Sequence, residues 1–360
     1  MRFLIIFILC FSIACKNESK KVKESSKPIS NKIERPKEYF KVKTQSQINT
    51  FAANEQINFD ISLIDSLQQI DSIQIFLNDN PLHVENQLRF SLTINPQHVG
   101  KNKITCTAFF RDGSNSSKSS YFTFLSDIDP KNIEYSLIKT HPHSTDHFTQ
   151  GIVYEEGFLY EGTGEFGFST LVKTKLETSE IIQSLSLASN RFGEGIALFN
   201  NKIVQITYKA KEGYVYDKTS FEKIWKFDYP YSKEGWGLTA TESELLMSNG
   251  TNKIISLDTS NFSFLKEIQV YDNKTAVNNL NELEYIDGLL YANIWMDNRI
   301  AQIDPKTGKV LGYIDCTQLI PNRYKSHHSH VLNGIAVIPK NGHLLLTGKR
   351  WDIIYEIELK

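Results

Sequence analysis

The feature that most constrains the fold of this chain is an internal repeat in its last 230 residues. Five segments share an apolar stretch, a turn and a second apolar stretch. A period of 40 to 50 residues, with frequent turns and few helix signals, is typical of a propeller blade made of four antiparallel strands. The sequence therefore predicts an all-β fold with a five-bladed β-propeller over residues 131–360. The segments begin at Gly151, Gly195, Gly237, Leu283 and Gly334.

A second motif lies between the repeats and contains an acidic residue in a turn. Glu177, Asp217, Asp258 and Asp304 carry it, at spacings of 40, 41 and 46 residues. The chain ends on IIYEIEL, and IEYSLIKTH precedes the first repeat, so we expect these two strands to pair and close the last blade. Such a closure removes a free sheet edge. The alternative, an open pair of β-sandwiches, does not predict a regular repeat.

Residues 40–127 have a different pattern, with short alternating runs such as INFDISL, SIQIFL, LRFSLTI, KITCTAFF and YFTFL. Turn-prone segments separate these runs, which indicates several strands in about 90 residues and a small immunoglobulin-like β-sandwich before the propeller. No constellation of catalytic residue types stands out there, so we expect a spacer or docking role. The following SDIDPKN segment is predicted to be a hinge.

The N terminus reads as an export signal. Residues 1–14 contain an apolar run too short for a stable membrane anchor, and small residues precede Cys15 as in a bacterial lipobox. We expect cleavage before Cys15 and lipidation of its thiol; the alternative is a cysteine that merely follows the cleavage site. Residues 15–39 are polar and form a predicted disordered linker. The prediction is an exported, membrane-anchored bacterial lipoprotein facing the periplasm or the cell surface.

Charge, sequence motifs and cysteine content argue against several classes of protein. Lys and Arg number 40 against 41 acidic residues, so no global field attracts nucleic acid. The sequence contains no Gly-rich phosphate-binding loop and no Gly-x-Ser-x-Gly elbow, so it does not support a nucleotide-binding protein or a serine hydrolase. On this prediction Cys10 would leave with the signal peptide and Cys15 would be acylated, so that Cys106 and Cys316 remain, on opposite sides of the proposed domain boundary. A disulfide framework is therefore not expected, and nothing argues against a monomer.

Functional residues of a propeller recur once per blade at the mouth of the central channel. The residue before the repeating glycine is Gln150, Glu194, Trp236 or Asn333 in four repeats, and the remaining repeat has the polar pair Asn281-Glu282. Inner strands ordinarily carry Val or Ile there. Polar and aromatic residues at one register in all five repeats indicate a functional site.

Ordered motifs in this region resemble those of the glutamine cyclotransferase family, the plant-type and bacterial glutaminyl-peptide cyclotransferases. They run from His143 to Trp351 and include HFTQG, YEGTG, FGEGI, EGWGLT, LNELEYIDG, YANIW, LNGIA and TGKRW. The resemblance implies an enzyme that converts the N-terminal glutamine of peptides or proteins to pyroglutamate and releases ammonia. It implies no cofactor.

The same resemblance implies roles for individual residues. Glu194 matches the essential acidic residue, and we expect it to act as the general acid and base. Tyr208 departs from the family, which commonly has Trp there, so the preference for the residue after glutamine is open. The residues expected to bind substrate are Phe148, Gln150, Phe192, Tyr208, Trp236, Asn281, Trp295 and Lys349.

Two groups of histidines raise the question of a metal site. One group is His327, His328 and His330, in a polar loop; the other is His141, His143 and His147. Neither has a recognised zinc pattern, so no metal ligand is predicted, and the second group is expected to orient the loop that carries Gln150. Two other functions remain open: a non-catalytic propeller that binds peptide or glycan, and a metal-dependent hydrolase of lactone type.

Overall fold

The computed structural model describes residues 38–64, 69–325 and 328–360. The predicted signal peptide, Cys15 and the linker up to residue 37 lie outside the described residues. Tyr39–Lys360 forms one compact unit. Its regular structure is nearly all β-strand, which confirms the all-β class, with two short 3₁₀ helices, Thr317–Leu319 and Asn322–Tyr324. No helix within the described ranges is both long and apolar enough to span a membrane.

The N-terminal eight strands form two sheets around a shared apolar core. Alternation explains the packing, since β-strand residues two apart face the same side: Ile57, Phe59 and Ile61 all point into the core. One sheet has the order β1-β3-β6 and the other β2-β8-β7-β4-β5. The immunoglobulin-like type of this sandwich stays a prediction. The strands are β1 (Phe40–Thr44), β2 (Thr50–Ala52), β3 (Gln56–Leu63), β4 (Ile70–Leu77), β5 (Asn80–Glu85), β6 (Arg89–Thr93), β7 (Gly100–Phe110) and β8 (Asn115–Leu125).

Five sheets follow among the described residues, one for each repeat, and we number them I to V in chain order. Each has four antiparallel strands, and sheet IV has a short fifth strand that pairs in parallel. The repeating segment forms the first two strands of each sheet. The strands of sheets I to III are β11 (Thr149–Glu155), β12 (Phe158–Thr163), β13 (Thr170–Lys175), β14 (Ile181–Ser186); β15 (Gly193–Phe199), β16 (Lys202–Thr207), β17 (Glu212–Asp217), β18 (Lys223–Asp228); β19 (Leu238–Ala240), β20 (Glu244–Ser248), β21 (Lys253–Asp258) and β22 (Phe264–Gln269). Sheet IV has β23 (Leu280–Ile286), β24 (Leu289–Ile294), β25 (Arg299–Ile303) and β26 (Val310–Asp315).

Sheet V joins the two ends of the ring. It contains β27 (Leu332–Ile338), β28 (His343–Gly348), β29 (Ile353–Leu359) and, on its outer edge, β10 (Tyr135–Pro142). Strand β10 pairs antiparallel with β29, from Tyr135 opposite Leu359 to Pro142 opposite Ile353, so the predicted strand exchange is confirmed. The first strands of the five sheets contact one another in a closed order, β11, β15, β19, β23 and β27, as in a β-propeller.

The recurring acidic turn connects the third and fourth strands of a sheet. The Asp217 Oδ1 atom accepts hydrogen bonds from the backbone N–H groups of Thr219 and Ser220, at 2.9 and 2.8 Å. Asp258 makes the equivalent bonds to Ser260 and Asn261, at 2.8 and 3.1 Å. A side-chain oxygen that satisfies the turn amides explains why a carboxylate recurs at this position.

The segment predicted to be a hinge is instead fixed to sheet IV. The Ser126 amide donates to the Asp272 carbonyl at 3.0 Å, and Lys309 forms a 2.6 Å ion pair with Asp127. Residues Lys131–Asn132 form strand β9, which pairs in parallel with β26. Backbone pairing and an ion pair therefore hold the connection between sandwich and propeller in place.

Candidate active site

Antiparallel pairing places the start of each first strand beside the end of the second strand. Three of the predicted site residues directly follow second strands: Tyr208 after β16, Trp295 after β24 and Lys349 after β28. The other six lie at or just before the starts of first strands. The topology therefore brings all nine to one cavity of about 230 Å³, lined by Phe148, Gln150, Phe192, Glu194, Tyr208, Trp236, Asn281, Trp295 and Lys349.

Irregular pairing at the start of the first strands aims the polar side chains. The strand register shifts between Thr149 and Gly151 in sheet I, between Gly193 and Ile196 in sheet II, and between Leu280 and Leu283 in sheet IV. A β-bulge leaves residues unpaired and redirects their side chains. The residues in these bulges are Gln150, Glu194 with Gly195, and Asn281 with Glu282.

Glu194 and Lys349 are ionisable groups buried in the cavity wall, with 5% and 7% of their surface exposed. Burial raises the pKa of Glu194 well above its usual range; the charge of Lys349 opposes this rise and that of Glu234 adds to it. Burial lowers the pKa of Lys349 to about 8, against the opposing effect of Glu194. The proton affinities of the two groups therefore approach each other, which suits proton transfer near neutral pH.

Two amide oxygens of the cavity are buried without a partner. Neither Gln150 Oε1 nor Asn281 Oδ1 accepts a hydrogen bond from any described residue. A buried polar atom left unpaired costs about 1–3 kcal/mol. A ligand that brings N–H donors to this wall would remove that cost.

Aromatic rings form the remaining walls. The Phe192 ring lies edge-on to Phe148, with ring centroids 6.3 Å apart, and it packs against Tyr208 at 5.6 Å. Trp236 and Trp295 meet edge to face at 5.7 Å. The Lys349 ammonium lies 4.8 Å from the centroid of the Phe148 ring. The cavity is therefore apolar on most sides and polar where Glu194, Lys349 and the amides converge.

Several residues that support the cavity were not predicted from the sequence. A Cβ atom on Gly164 would lie 2.4 Å from the Phe192 ring, and one on Gly250 would lie 2.6 Å from Trp236. These glycines follow second strands β12 and β20, so they leave room where Tyr208, Trp295 and Lys349 project in other sheets. The sequence signal for these two positions is the glycine at the end of YEGTG, Gly164, and the glycine at the end of MSNG, Gly250. Glu234, also not predicted as a site residue, accepts a hydrogen bond from the Trp236 indole N–H at 3.0 Å.

The histidines before β11 hold a third buried carboxylate, Glu161 on β12. His143 and His147 both contact it, and the Thr149 hydroxyl donates to its Oε1 atom at 2.7 Å. Burial would raise the pKa of Glu161, but the two imidazoles outweigh burial and hold it low. This cluster borders the strand that carries Gln150, whereas His141 of the same predicted group contacts Glu356 instead. Glu161 itself was not identified from sequence.

A larger cavity, of about 470 Å³, lies between the loops of sheets IV and V. Met296, Tyr324, His328 and His330 are among its lining residues. Among the described residues that line it, Asp297 is the one carboxylate, and it forms a 2.6 Å ion pair with Arg299. His327 of the predicted histidine group lies outside the described residues. Because none of the described lining residues of this cavity is a buried acid, we assign the reactive site to the smaller one.

Comparison with known proteins identifies the family of this chain. The family model described as glutamine cyclotransferase matches residues 110–359, beginning within β7. Glutaminyl-peptide cyclotransferase of Arabidopsis thaliana is 35% identical over 230 residues, which cover 63% of this chain and 72% of that protein. The crystal structure of Myxococcus xanthus glutaminyl cyclase is 32% identical, with a TM-score of 0.59, and the match covers 64% of this chain and 99% of that one. The chain belongs to the glutamine cyclotransferase family.

Proposed function

We propose that this protein cyclises the N-terminal glutamine of peptides or proteins to pyroglutamate and releases ammonia, with Glu194 as the general acid and base. The observation that carries the proposal is the convergence in one cavity of a buried carboxyl with a raised pKa, unpaired amide oxygens and aromatic walls. Each of these features has a task in the reaction.

The reaction takes place within one substrate. The α-amine nitrogen attacks the side-chain amide carbon, a C–N bond closes a five-membered ring, and the bond to the amide nitrogen breaks. The attacking nitrogen loses a proton and the leaving nitrogen gains one, so no external nucleophile is consumed. The enzyme must therefore fold the substrate, move a proton and stabilise the oxygen of the tetrahedral intermediate.

Glu194 is the group suited to move the proton. A free α-amine titrates near pH 7.7–8.0, so an appreciable neutral fraction exists at neutral pH. The Glu194 carboxylate accepts the proton that the amine loses during attack. The resulting carboxylic acid then donates that proton to the departing nitrogen. A pKa raised by burial serves both steps, because the acid form must be a strong enough donor and the base form a strong enough acceptor.

Lys349, Gln150 and Asn281 orient the substrate. The Lys349 ammonium donates to the amide oxygen as negative charge develops there. The unpaired oxygens of Gln150 and Asn281 accept hydrogen bonds from the substrate N–H groups. The aromatic rings exclude water and bend the glutamine side chain toward its own amine. The remaining substrate residues leave the cavity past Trp295, 39% of whose surface is exposed.

The first test is ammonia release by the full chain from a short peptide with N-terminal glutamine, with and without a chelator. We expect chelator-resistant release at temperatures well below the melting temperature, and its loss in Glu194→Gln. A well-folded wild-type protein without activity would instead favour the alternative of a non-catalytic propeller that binds peptide or glycan. Chelator-sensitive hydrolysis of a lactone, without ammonia release from the peptide, would favour the metal-dependent hydrolase.

The proposed setting is an exported bacterial lipoprotein that acts as a monomer, anchored through a lipid on Cys15. The apolar segment with small residues before Cys15 supports the lipid anchor. We expect the protein to fractionate with membranes, and Cys15→Ala to release it. Membrane association that persists in Cys15→Ala would contradict lipidation of this residue.

A further inference from the structure

The strongest unexplained feature outside the active site is the cluster of His143, His147 and Glu161. All three side chains are buried, with at most 9% of any of them exposed. The Nε2 atom of His143, the Nδ1 atom of His147 and a carboxylate oxygen of Glu161 all lie within 4.8 Å of one another. The other described parts of the chain contain no converging group of this kind.

The hydrogen bonds of His143 require a positive charge inside the cluster. Its Nδ1 atom lies 2.7 Å from the Trp351 carbonyl oxygen, so Nδ1 must carry a hydrogen and donate. The Nε2 atom of a neutral ring then has only a lone pair. This atom faces the two Glu161 oxygens, at 3.3 and 3.1 Å. Two acceptors at this separation repel each other unless a proton or a metal ion lies between them.

A second histidine cluster shows what ordinary hydrogen bonding looks like in this fold. His141 Nε2 contacts one oxygen of Glu356 at 2.9 Å, and His343 Nδ1 contacts the other oxygen at 2.7 Å. Each imidazole therefore has its own acceptor. In the first cluster, by contrast, both imidazole nitrogens approach the same oxygen, Glu161 Oε2, at 3.1 and 2.6 Å.

We propose that His143, His147 and Glu161 bind a divalent transition-metal ion such as Zn²⁺. Two imidazoles and one carboxylate are a ligand set that zinc accepts, with its fourth position open to water. The Nδ1–H bond from His143 to a backbone carbonyl is the outer contact that orients a metal-binding imidazole. These residues are not among those assigned to the cyclisation reaction.

The distances show what metal binding must change. Two ligand atoms on a tetrahedral zinc ion, with bonds of about 2.0–2.1 Å, lie roughly 3.3 Å apart. The contacts from His143 to Glu161 already have this length. His147 Nδ1 must move away from Glu161 Oε2, now 2.6 Å distant, by a fraction of an ångström. A small side-chain rotation provides this movement.

The location of the cluster assigns the ion a structural role. His143 follows β10 of sheet V, and Glu161 lies on β12 of sheet I. The carbonyl of His147 accepts a hydrogen bond from the Arg350 amide at 2.8 Å, in the loop between β28 and β29. A metal ion would therefore tie sheet I to sheet V, where the two ends of the chain close the ring.

The test uses the full chain stripped with a chelator and titrated with Co²⁺, which reports a four-coordinate site by strong visible absorption. We expect a band that saturates at one equivalent and disappears when Zn²⁺ is added. His147→Gln keeps an N–H donor toward Glu161 but removes the ligand nitrogen, so the band should be lost. His343→Ala, in the second cluster, is the matched control and should keep it.

Thermal unfolding provides a second measurement, independent of activity. Zn²⁺ should raise the melting temperature of wild type and of His343→Ala, and leave that of His147→Gln unchanged. Glu161→Gln, which removes the anionic ligand, should behave like His147→Gln if it folds. A folded wild-type chain that shows no cobalt band would overturn the proposal and leave a shared proton as the positive charge. A band that persists in His147→Gln, or that is lost in His343→Ala, would overturn it as well.

Discussion

Glu194 and Glu282 are two buried carboxyls that lie in corresponding bulges of sheets II and IV, yet their surroundings differ. Burial raises the pKa of both well above the usual range. The Glu282 oxygens accept hydrogen bonds from the Ile335 and Ile152 amides, at 2.8 and 3.4 Å, which joins sheet IV to sheets V and I. Among the described residues, none donates a hydrogen bond to the Glu194 carboxyl, which faces the cavity with Lys349.

A shift of one residue separates the two environments. Gly193 and Leu280 begin equivalent bulges, so Glu194 corresponds to Asn281, and Glu282 to Gly195. The first bulge position faces the cavity and the second turns toward neighbouring strands. A side chain at Gly195 would collide with the Leu238 amide, 2.4 Å from its Cβ. A raised pKa alone therefore does not mark a reactive group; the absence of fixed hydrogen-bond partners does.

The largest expected effect is on catalysis by Glu194→Gln. Loss of a general acid and base costs about 10²- to 10⁴-fold in rate, and here one residue serves both steps, so we expect a fall in kcat of about 10³-fold. Glu282→Gln should keep kcat within about tenfold, because the Glu282 carboxyl is engaged by backbone amides and contributes no proton transfer. Steady-state ammonia release measures both. Equal losses in the two variants would break the distinction between a reactive and a structural carboxyl.

The next effect is that of Lys349→Met, which removes the cation that faces Glu194. We expect kcat to fall about 10²-fold, as for loss of one oxyanion donor. Because Lys349 lowers the pKa of Glu194, its removal should also raise that pKa further and shift the acid limb of the pH profile upward. If kcat of Lys349→Met fell only about tenfold and the acid limb of its pH profile did not shift, Lys349 would act on neither the oxyanion nor Glu194.

The residues that line the active site were more predictable from the sequence than the residues that hold the surrounding loops and strands in place. Gln150, Glu194 and Trp236 occupy one register of the repeat, and antiparallel pairing brings such places together. Lys349 was expected there only from the family resemblance. Glu161 could not be assigned, because its contact with His143 depends on the path of the loop between β10 and β11. Strand β9 could not be predicted, because its two residues, Lys131 and Asn132, are too few to show a periodic pattern.

The pH dependence of activity is the third prediction. Glu194 must be deprotonated to accept a proton. We therefore expect kcat/KM to rise with pH as the Glu194 carboxyl and the substrate α-amine lose their protons. Lys349 must be protonated to stabilise the oxyanion, so activity should fall as pH increases through its pKa of about 8. The expected profile is a bell whose alkaline limb disappears in Lys349→Met. Glu282→Gln should keep both limbs, although burial perturbs the pKa of Glu282 in the same direction as that of Glu194.

The fourth prediction concerns stability. Here we expect the substitution of Glu282 to have the larger effect, whereas for catalysis we expect the substitution of Glu194 to have it. Glu282→Gln places an amide NH₂ against a backbone N–H, so the free energy of unfolding at pH 5 should fall by about 1–3 kcal/mol. The folded-state pKa of Glu282 is raised, so its contribution to wild-type stability is fully present below the unfolded pKa and is lost as pH rises toward the folded value. The difference should therefore narrow at pH 8. Urea unfolding at both pH values checks this, and Glu194→Gln should be at least as stable as wild type.

The smallest effect is expected for Tyr208→Trp, which alters a wall of the cavity and neither buried carboxyl. Tyr208 packs against Phe192 at 5.6 Å, and Lys209 lies over its ring at 4.6 Å. A larger indole should change the space beside the substrate residue after glutamine while leaving the proton path through Glu194 intact. We expect kcat within about threefold of wild type and a change in KM that depends on that residue, since differences in apolar contact shift binding by about 1–3 kcal/mol. Peptides with alanine and phenylalanine after glutamine provide the measurement. A uniform fall in kcat for both peptides would mean that the aromatic wall positions Glu194 itself, and the reactive carboxyl would then depend on its surroundings as strictly as Glu282 does.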